Sequence, residues 1–423
     1  MQVKVVTLVI FLLSLALFPR LLTAVGFPKI IVFLHFIIVP MLFLHALPYS
    51  LQNKKLRYLA LSLALLFLSA FISMLINNAG LINLLLNFLM IASPLMLVVV
   101  ICSFVWSASS ILLFEKFIVL FIFIHTILAF FQSFILGYRH DDVEGVFIGM
   151  GAGGHLAGAI SAISALWILK INWIPTKVRY FISILSISVI FLSDSKQVIA
   201  VLGVSLFIYF LIVGENFYNK LRLVVLLFFS TGILTVLANT VVPGLLVYLD
   251  FYKVFEGVEQ KLMVLPVVVS FYDDWSSWLF GLGPGHSVSR LATMLPSYGF
   301  LSSGAGATVH DATGVVLMVK ESHWLSNSIS GSSMFSLDFS LAGIWGDLGI
   351  VGFVIFIFSY LILWRFVSET DKSAKFFIIS VFVYGFVFTW MEEPSFMLYL
   401  LGYIGWSWQK SQRDLKNENP HYP

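Results

Sequence analysis

The sequence predicts an all-α, polytopic integral membrane protein with about 12 transmembrane helices and one large extracytoplasmic loop. Three observations predict it. Of 423 residues, 60% are hydrophobic, 42 are Phe and 11% are charged, the last being less than half the roughly 25% of a soluble domain. The mean hydropathy is +1.00. A water-soluble globule cannot bury so much apolar surface, and a disordered chain does not carry it. Second, the apolar residues come in continuous runs long enough to span a bilayer. Such runs exclude an outer-membrane barrel, whose segments are short and alternating. Third, the basic residues are distributed asymmetrically between alternate connections. The net charge of +3 is too small to argue for a nucleic-acid partner, and the single cysteine, Cys102, excludes a disulfide framework or a Cys-based metal site.

The expected spans, in order, are 3–25, 29–48, 58–76, 81–105, 117–137, 153–169, 180–193, 197–213, 223–241, 338–363, 376–390 and 395–408. With the N-terminus inside, 16 of the 24 Lys and Arg residues fall in cytoplasmic segments. Four of the eight others lie in one long loop, where the positive-inside rule carries little weight. Both termini are therefore expected in the cytoplasm. The first run also has the charge and length of a signal peptide, but it continues past Arg20 to Val25, which favours a retained helix. The organisation is then a nine-span bundle over 1–241, an extracytoplasmic loop over 242–337, three further spans over 338–408 and a polar tail over 409–423. In the loop, the apolar stretch Leu262–Phe271 reads as an interfacial helix.

Charge at a membrane edge is costly and often functional. Four polar clusters sit at the expected outer face. The first runs from Arg139-His140-Asp141-Asp142 through Gly145-Val146-Phe147 to His155. Its glycines let backbone N–H groups turn toward an anion, and Arg139 can grip a phosphate with a planar fork. It reads equally as a solvated loop. The second is Leu192-Ser193-Asp194-Ser195-Lys196-Gln197, either a plain polar turn or a site where Lys196 meets a lipid phosphate. The third starts at Lys261, passes Asp273-Asp274-Trp275 and ends in Gly281-Leu282-Gly283-Pro284-Gly285-His286. This glycine run lacks the Gly-Lys-Ser/Thr ending of a nucleotide loop; it lets backbone approach something closely. The adjacent Asp273 and Asp274 are a weak metal signal. The fourth is Ser336-Leu337-Asp338-Phe339, leading to Gly346-Asp347-Leu348-Gly349-Ile350-Val351-Gly352. Asp338 is placed to cap a helix. Asp347 is too deep for a cap and calls for a partner, expected to be basic. His310 and His323 lie between and can act as acid or base.

The order of the four clusters resembles the O-antigen ligase and polymerase superfamily, the Wzy-like membrane glycan polymerases. The family's Arg…Gly-Thr/Val-Phe-Gly loop corresponds to Arg139…Gly145-Val146-Phe147. Its Thr-x-Ser-Arg turn corresponds to Ser193-Asp194-Ser195-Lys196. Its Arg ahead of a Gly-x-Gly-x-Gly segment corresponds to Lys261 ahead of Gly281–Gly285. Its His-Asn helix start leading to Glu-Leu-Gly-Ile-x-Gly corresponds to Leu337-Asp338 leading to Asp347-Leu348-Gly349-Ile350-Val351-Gly352. The likeness covers about residues 137–360. Lys replaces Arg twice, keeping the charge and losing the fork. Loss of the His-Asn pair removes the His on which a ligase-type mechanism relies and favours polymerase over ligase.

The resemblance implies a metal-independent glycosyltransferase at the outer leaflet of the plasma membrane, with no cofactor. Its donor is an undecaprenyl-diphosphate-linked oligosaccharide, and its acceptor is another lipid-linked repeat unit. Membrane lipid, a flippase and a chain-length regulator are the further partners implied. Basic groups would neutralise the diphosphate leaving group: Arg139, Lys196, Lys261 and Arg290. Asp338, His323 or His286 would take the acceptor proton. Trp275, Trp278 and Trp324 would hold sugar rings. A lipid-linked-sugar transporter and a non-catalytic scaffold are the rival readings.

Overall fold

In a bilayer every backbone polar group must find an internal partner, so apolar runs of this length become helices. The computed structural model describes residues 2–149, 153–213, 250–326, 332–367 and 372–418. Every regular element in it is helical, and no strand occurs among the described residues. Among the described residues, six stretches are long and apolar enough to cross a membrane: Lys29–Ser50, Lys54–Ile76, Leu81–Cys102, Ala108–Phe134, Lys196–Val213 and Ser333–Val367. Shorter apolar helices accompany them. The expected ninth span, 223–241, lies outside the described residues.

The first expected span is not one helix. It is α1 (Gln2–Leu17) and α2 (Pro19–Ala24), broken at Phe18 because Pro19 has no N–H and opens a new first turn. Next come a 3-10 turn over Lys29–Phe33, α3 (His35–Ser50), α4 (Lys54–Ile76), α5 (Leu81–Cys102) and α6 (Ala108–Phe134). Asn53 caps α4 and Ser107 caps α6, each accepting backbone N–H groups of the first turn. Then follow α7 (Gly153–Leu169), α8 (Thr176–Leu192) and α9 (Lys196–Val213). The core is α5, which is buried on nearly all sides, a pattern expected of a central helix. Spans from both ends of the sequence pack on it and its neighbours: α16 (Ser340–Val367) lies against α4, and α18 (Pro394–Glu418) against α5, with α17 (Lys372–Val387) joining them.

Segment 242–337 is not an open loop over its described residues. It folds into α10 (Phe251–Leu262), α11 (Val264–Val269), α12 (Trp275–Phe280), α13 (Arg290–Met294), α14 (Gly299–Ala305) and α15 (Asp311–Ser326). Val264, Val268, Leu282, Val288, Ala312 and Val316 form a small core with Leu337, Phe339 and Ala342. In the stretch Leu262–Phe271, expected as an interfacial helix, Val264 and Val268 are buried while Val267 and Val269 are partly exposed. A further exposed apolar face belongs to α10, through Phe251, Tyr252 and Phe255.

The two ends of the bundle differ. At one end the α4–α5 turn meets residues 250–326, the capping segment: Asn77 donates to Gly281 and Asn83 to Pro284 and Thr308. At the other, Gln409 donates to the Ile101 carbonyl at 2.6 Å and Lys410 to Lys170. The basic segments 53–57 and 170–179 fall at connections of the second end, beside the last turns of α18 with Lys410 and Arg413.

Candidate functional site

The glycine run and the break in α16 fit each other. Inside α16 the helix is interrupted at Gly349, with φ 63° and ψ −167°. Residues 281–283 lie in that break, with Leu282 N–H donating to the Gly346 carbonyl at 2.8 Å and Gly283 N–H to Asp347 at 3.1 Å. Two positions demand glycine. A Cβ on Gly281 (φ +73°) would lie 2.5 Å from the Asp347 carbonyl, and one on Gly349 would lie 2.4 Å from Leu279. What the glycines approach closely is thus another backbone.

Asp347 has no basic partner among the described residues, contrary to expectation. Its carboxylate accepts from Asn87 Nδ2 at 2.7 Å, Gly285 N–H at 2.7 Å, Ser287 N–H at 2.9 Å and Ser287 Oγ at 2.5 Å. Four donors satisfy a buried carboxylate as well as a cation does. They also pin residues 285–287, three residues before Arg290. Ser289 then caps the short α13, and Gly343 packs on its backbone. Arg290 is held in place by this chain of contacts.

Arg290 faces a cavity of about 340 Å³, shared with Arg20, Thr293, Tyr298, Trp390 and Glu393. Gly149 and Leu156 close it from the first cluster and from α7. The Arg290 guanidinium pairs with the Glu393 carboxylate, and its backbone N–H donates to Glu392. Glu393 Oε1 accepts from Ser395 N–H at 3.4 Å. Ser395 Oγ in turn donates to the Ala16 carbonyl at 2.9 Å, tying this turn to the end of α1 and hence to Arg20. Glu392 is 1% exposed. Burial pushes its carboxyl well above the usual carboxylate range, against the pull of the Arg290 N–H. Trp390 stacks on Phe388 with ring centroids 4.2 Å apart and forms an aromatic wall. An apolar crevice opens beside the cavity, lined by Val32, Phe33, Phe36, Leu86 and Met90 and sharing Arg20, Arg290 and Glu393 with it.

The other nominated residues fall elsewhere. Lys261 does not face the cavity. It is 1% exposed, and its ammonium donates to the carbonyls of Ser336 at 2.7 Å, Val387 at 3.0 Å and Met334 at 3.2 Å, above the Phe339 ring. Burial pushes it down to about 7, with Asp338 acting against the shift and Lys320 with it. Asp338 accepts from the Ser336 hydroxyl and pairs with Lys320 at 2.8 Å instead of capping α16. His286 is spent as well. Nδ1 lies 3.0 Å from the Leu282 carbonyl, which can only accept, so Nδ1 carries the proton and Nε2 accepts from Thr308 Oγ1 at 2.7 Å. Burial lowers its pKa to about 4, the Leu282 carbonyl opposing and His310 assisting. Neither Asp338 nor His286 lines the cavity. The side chains of His323 and Trp324 lie outside the described residues.

The first and second clusters do come together. Asp194 accepts from Lys196 at 2.8 Å and from His140 at 3.1 Å, and His155 lies 3.7 Å from Asp141. Ser195 Oγ donates to the Gly154 carbonyl at 2.9 Å. This knot fixes the start of α7 and so the Leu156 wall of the cavity. Lys196 is already paired within it. Arg139 is exposed and has no partner among the described residues. Trp275 and Trp278 stand on α12, 72% and 49% exposed, away from the cavity lining. Asp274 caps α12 by accepting the Ser277 N–H, which accounts for one of the adjacent aspartates.

Of the proposed clamp, then, the cavity holds Arg290. Sequence reasoning missed Arg20, Tyr298, Trp390, Glu392 and Glu393 as site residues. Two signals pointed to them: Phe18-Pro19-Arg20 interrupts an apolar run, and Glu392-Glu393-Pro394 fills the short turn between two apolar runs. Neither a family model nor a curated protein sequence matches this chain.

Proposed function

We propose that this protein is a polyprenyl-diphosphate-dependent glycosyltransferase of the plasma membrane. It has twelve spans, both termini in the cytoplasm and the 242–337 segment outside. It joins undecaprenyl-diphosphate-linked repeat units into a surface polysaccharide. The observation that carries the reading is the cavity in which Arg20 and Arg290 face one space beside an apolar crevice. Two guanidinium groups suit a diphosphate, whose leaving oxygens gather charge as the sugar departs. The crevice offers an apolar lining where the isoprenoid would begin. Tyr298, half-buried at the cavity, supplies an apolar face on which a sugar ring can pack. The motif resemblance agrees in kind, while the clamp shifts from Arg139, Lys196 and Lys261 to Arg20 and Arg290.

Complementation tests this. A deletion strain receives wild-type, Arg20→Ala or Arg290→Ala protein at matched membrane abundance, and the surface glycan is sized on a gel. Each variant should leave single repeat units where the wild type makes long chains. Long chains that never reach their final acceptor would make the protein a ligase. Lipid-linked units stranded on the cytoplasmic face would make it a transporter.

A further inference from the structure

We infer that Glu393 is the general base that takes the proton of the acceptor hydroxyl, an assignment that rests on the glycosyl-transfer reading above. The chemistry needs a proton acceptor beside the diphosphate. A free acceptor hydroxyl is a weak nucleophile until a positioned base removes its proton. Among the described residues lining the cavity, Arg20, Thr293, Ser297, Tyr298 and Trp390 bring donors or weakly basic groups, and Glu393 brings the one carboxylate. His35 lines the apolar crevice and not the cavity itself.

A carboxylate in an anion-binding cavity opposes the binding of its own ligand, because like charges at a few ångströms repel strongly where water is excluded. A purely structural anchor for Arg290 is already present in Glu392, which accepts the Arg290 backbone N–H. Glu393 is therefore not needed to hold that backbone. Its two oxygens are differently engaged: Oε1 with the Ser395 N–H and Oε2 with the Arg290 guanidinium. When the diphosphate takes over the guanidinium, Oε2 is released while Oε1 stays anchored. The freed oxygen is then held beside the bound donor, where an acceptor hydroxyl approaches.

The step balances. The acceptor oxygen forms a bond to the anomeric carbon as the bond from that carbon to the phosphate oxygen breaks. The hydroxyl proton passes to Glu393 Oε2, and the electron pair of the broken bond leaves on the polyprenyl diphosphate, neutralised by Arg20 and Arg290. A single displacement of this kind inverts the anomeric centre.

The test uses the full chain in lipid nanodiscs. Undecaprenyl diphosphate is the binding probe, and lipid-linked saccharides extracted from the deletion strain are the turnover substrate. Glu393→Gln should bind undecaprenyl diphosphate as tightly as wild type or more tightly. It should lose turnover by about 10²- to 10⁴-fold, the usual contribution of a general base. Glu393→Asp, which keeps a carboxylate one methylene shorter, should recover part of it. Unchanged turnover in Glu393→Gln overturns the assignment. So does joint loss of binding and turnover at an unchanged unfolding temperature, which would make Glu393 a support for Arg290. Should Glu393→Gln fail to fold, the wild-type product decides: inversion at the new linkage upholds the base, and retention overturns it. A wild-type protein that neither binds undecaprenyl diphosphate nor extends chains sinks the glycosyltransferase reading itself, an outcome distinct from all of these.

Discussion

Asp347 shows how a single side chain organises the site without touching it. A carboxylate buried at full depth is tolerable only when its oxygens are saturated, and here four donors converge on them. Asp347→Ala leaves the Gly285 and Ser287 N–H groups unpaired in a dry interior. Orphaning buried donors costs about 1–3 kcal/mol each, so the variant should unfold markedly earlier in a detergent thermal melt. It should also lose undecaprenyl diphosphate binding in its folded fraction, because the 285–289 turn no longer presents Arg290. Wild-type binding in Asp347→Ala would break this link. The sequence showed that Asp347 needed a partner but named the wrong kind. A basic residue is the obvious mate for a buried acid, and backbone N–H groups are invisible in a list of side chains. Glu393 escaped notice for a related reason. Two adjacent glutamates between spans read as ordinary loop charge until the fold carries Arg290, some hundred positions earlier, onto them.

At the scale of elements, the capping segment is stapled to the bundle by a lysine. Lys261 reaches from α10 to the carbonyls of Met334 and Ser336 ahead of α16 and of Val387 at the end of α17. The ordinary lysine value is near 10.5, and burial brings this one to about 7. Between those values the unfolded chain binds more protons than the folded one, so stability rises with pH across the window. The contribution is fully present above about 10.5 and is lost as pH falls toward 7. The unfolding temperature should therefore climb from pH 7 to pH 9.5, by an amount corresponding to at most a few kcal/mol. Lys261→Met should abolish that slope. At pH 9.5, where the buried amine is neutral and keeps two N–H donors, it should also be the less stable protein, having lost two hydrogen bonds at about 1 kcal/mol each. An equal slope in both proteins would assign the titration elsewhere. The charge and position of Lys261 invited a diphosphate-binding reading from sequence. Its length and the three inward carbonyls, legible only after folding, give it a structural one. The helices themselves were legible to within a few residues where apolar runs were continuous, as in α5 and α9. The break at Pro19 and the short helices of the capping segment were not. Helices of five to seven residues carry too few turns to show a period, and long-range packing holds them.

At the scale of the whole molecule, every functional statement depends on which end of the bundle faces outward. On the proposed topology the basic residues place Lys177 and Asp414 inside and the capping segment outside. The same division appears in three dimensions, with Asn83 bonded to the capping segment at one end and Lys410 to Lys170 at the other. Crossing parity makes this testable. On the proposed topology α8 and α9 supply two crossings from Lys177, so Asp273 lies outside only if the apolar run 223–241 supplies a third. From Asp273, crossings by α16, α17 and α18 would return the chain to the inside at Asp414. Cys102 is the one native cysteine and is buried, so a Cys102→Ala background isolates engineered sites. Lys177, Asp273 and Asp414 are all exposed. A membrane-impermeant maleimide should label Asp273→Cys in intact cells. It should label Lys177→Cys and Asp414→Cys only after permeabilisation. If Asp273→Cys also needs permeabilisation, the run 223–241 does not cross. The cavity with Arg20, Arg290 and Glu393 then loses its access to glycans on the outer leaflet, whatever the chemistry of its side chains.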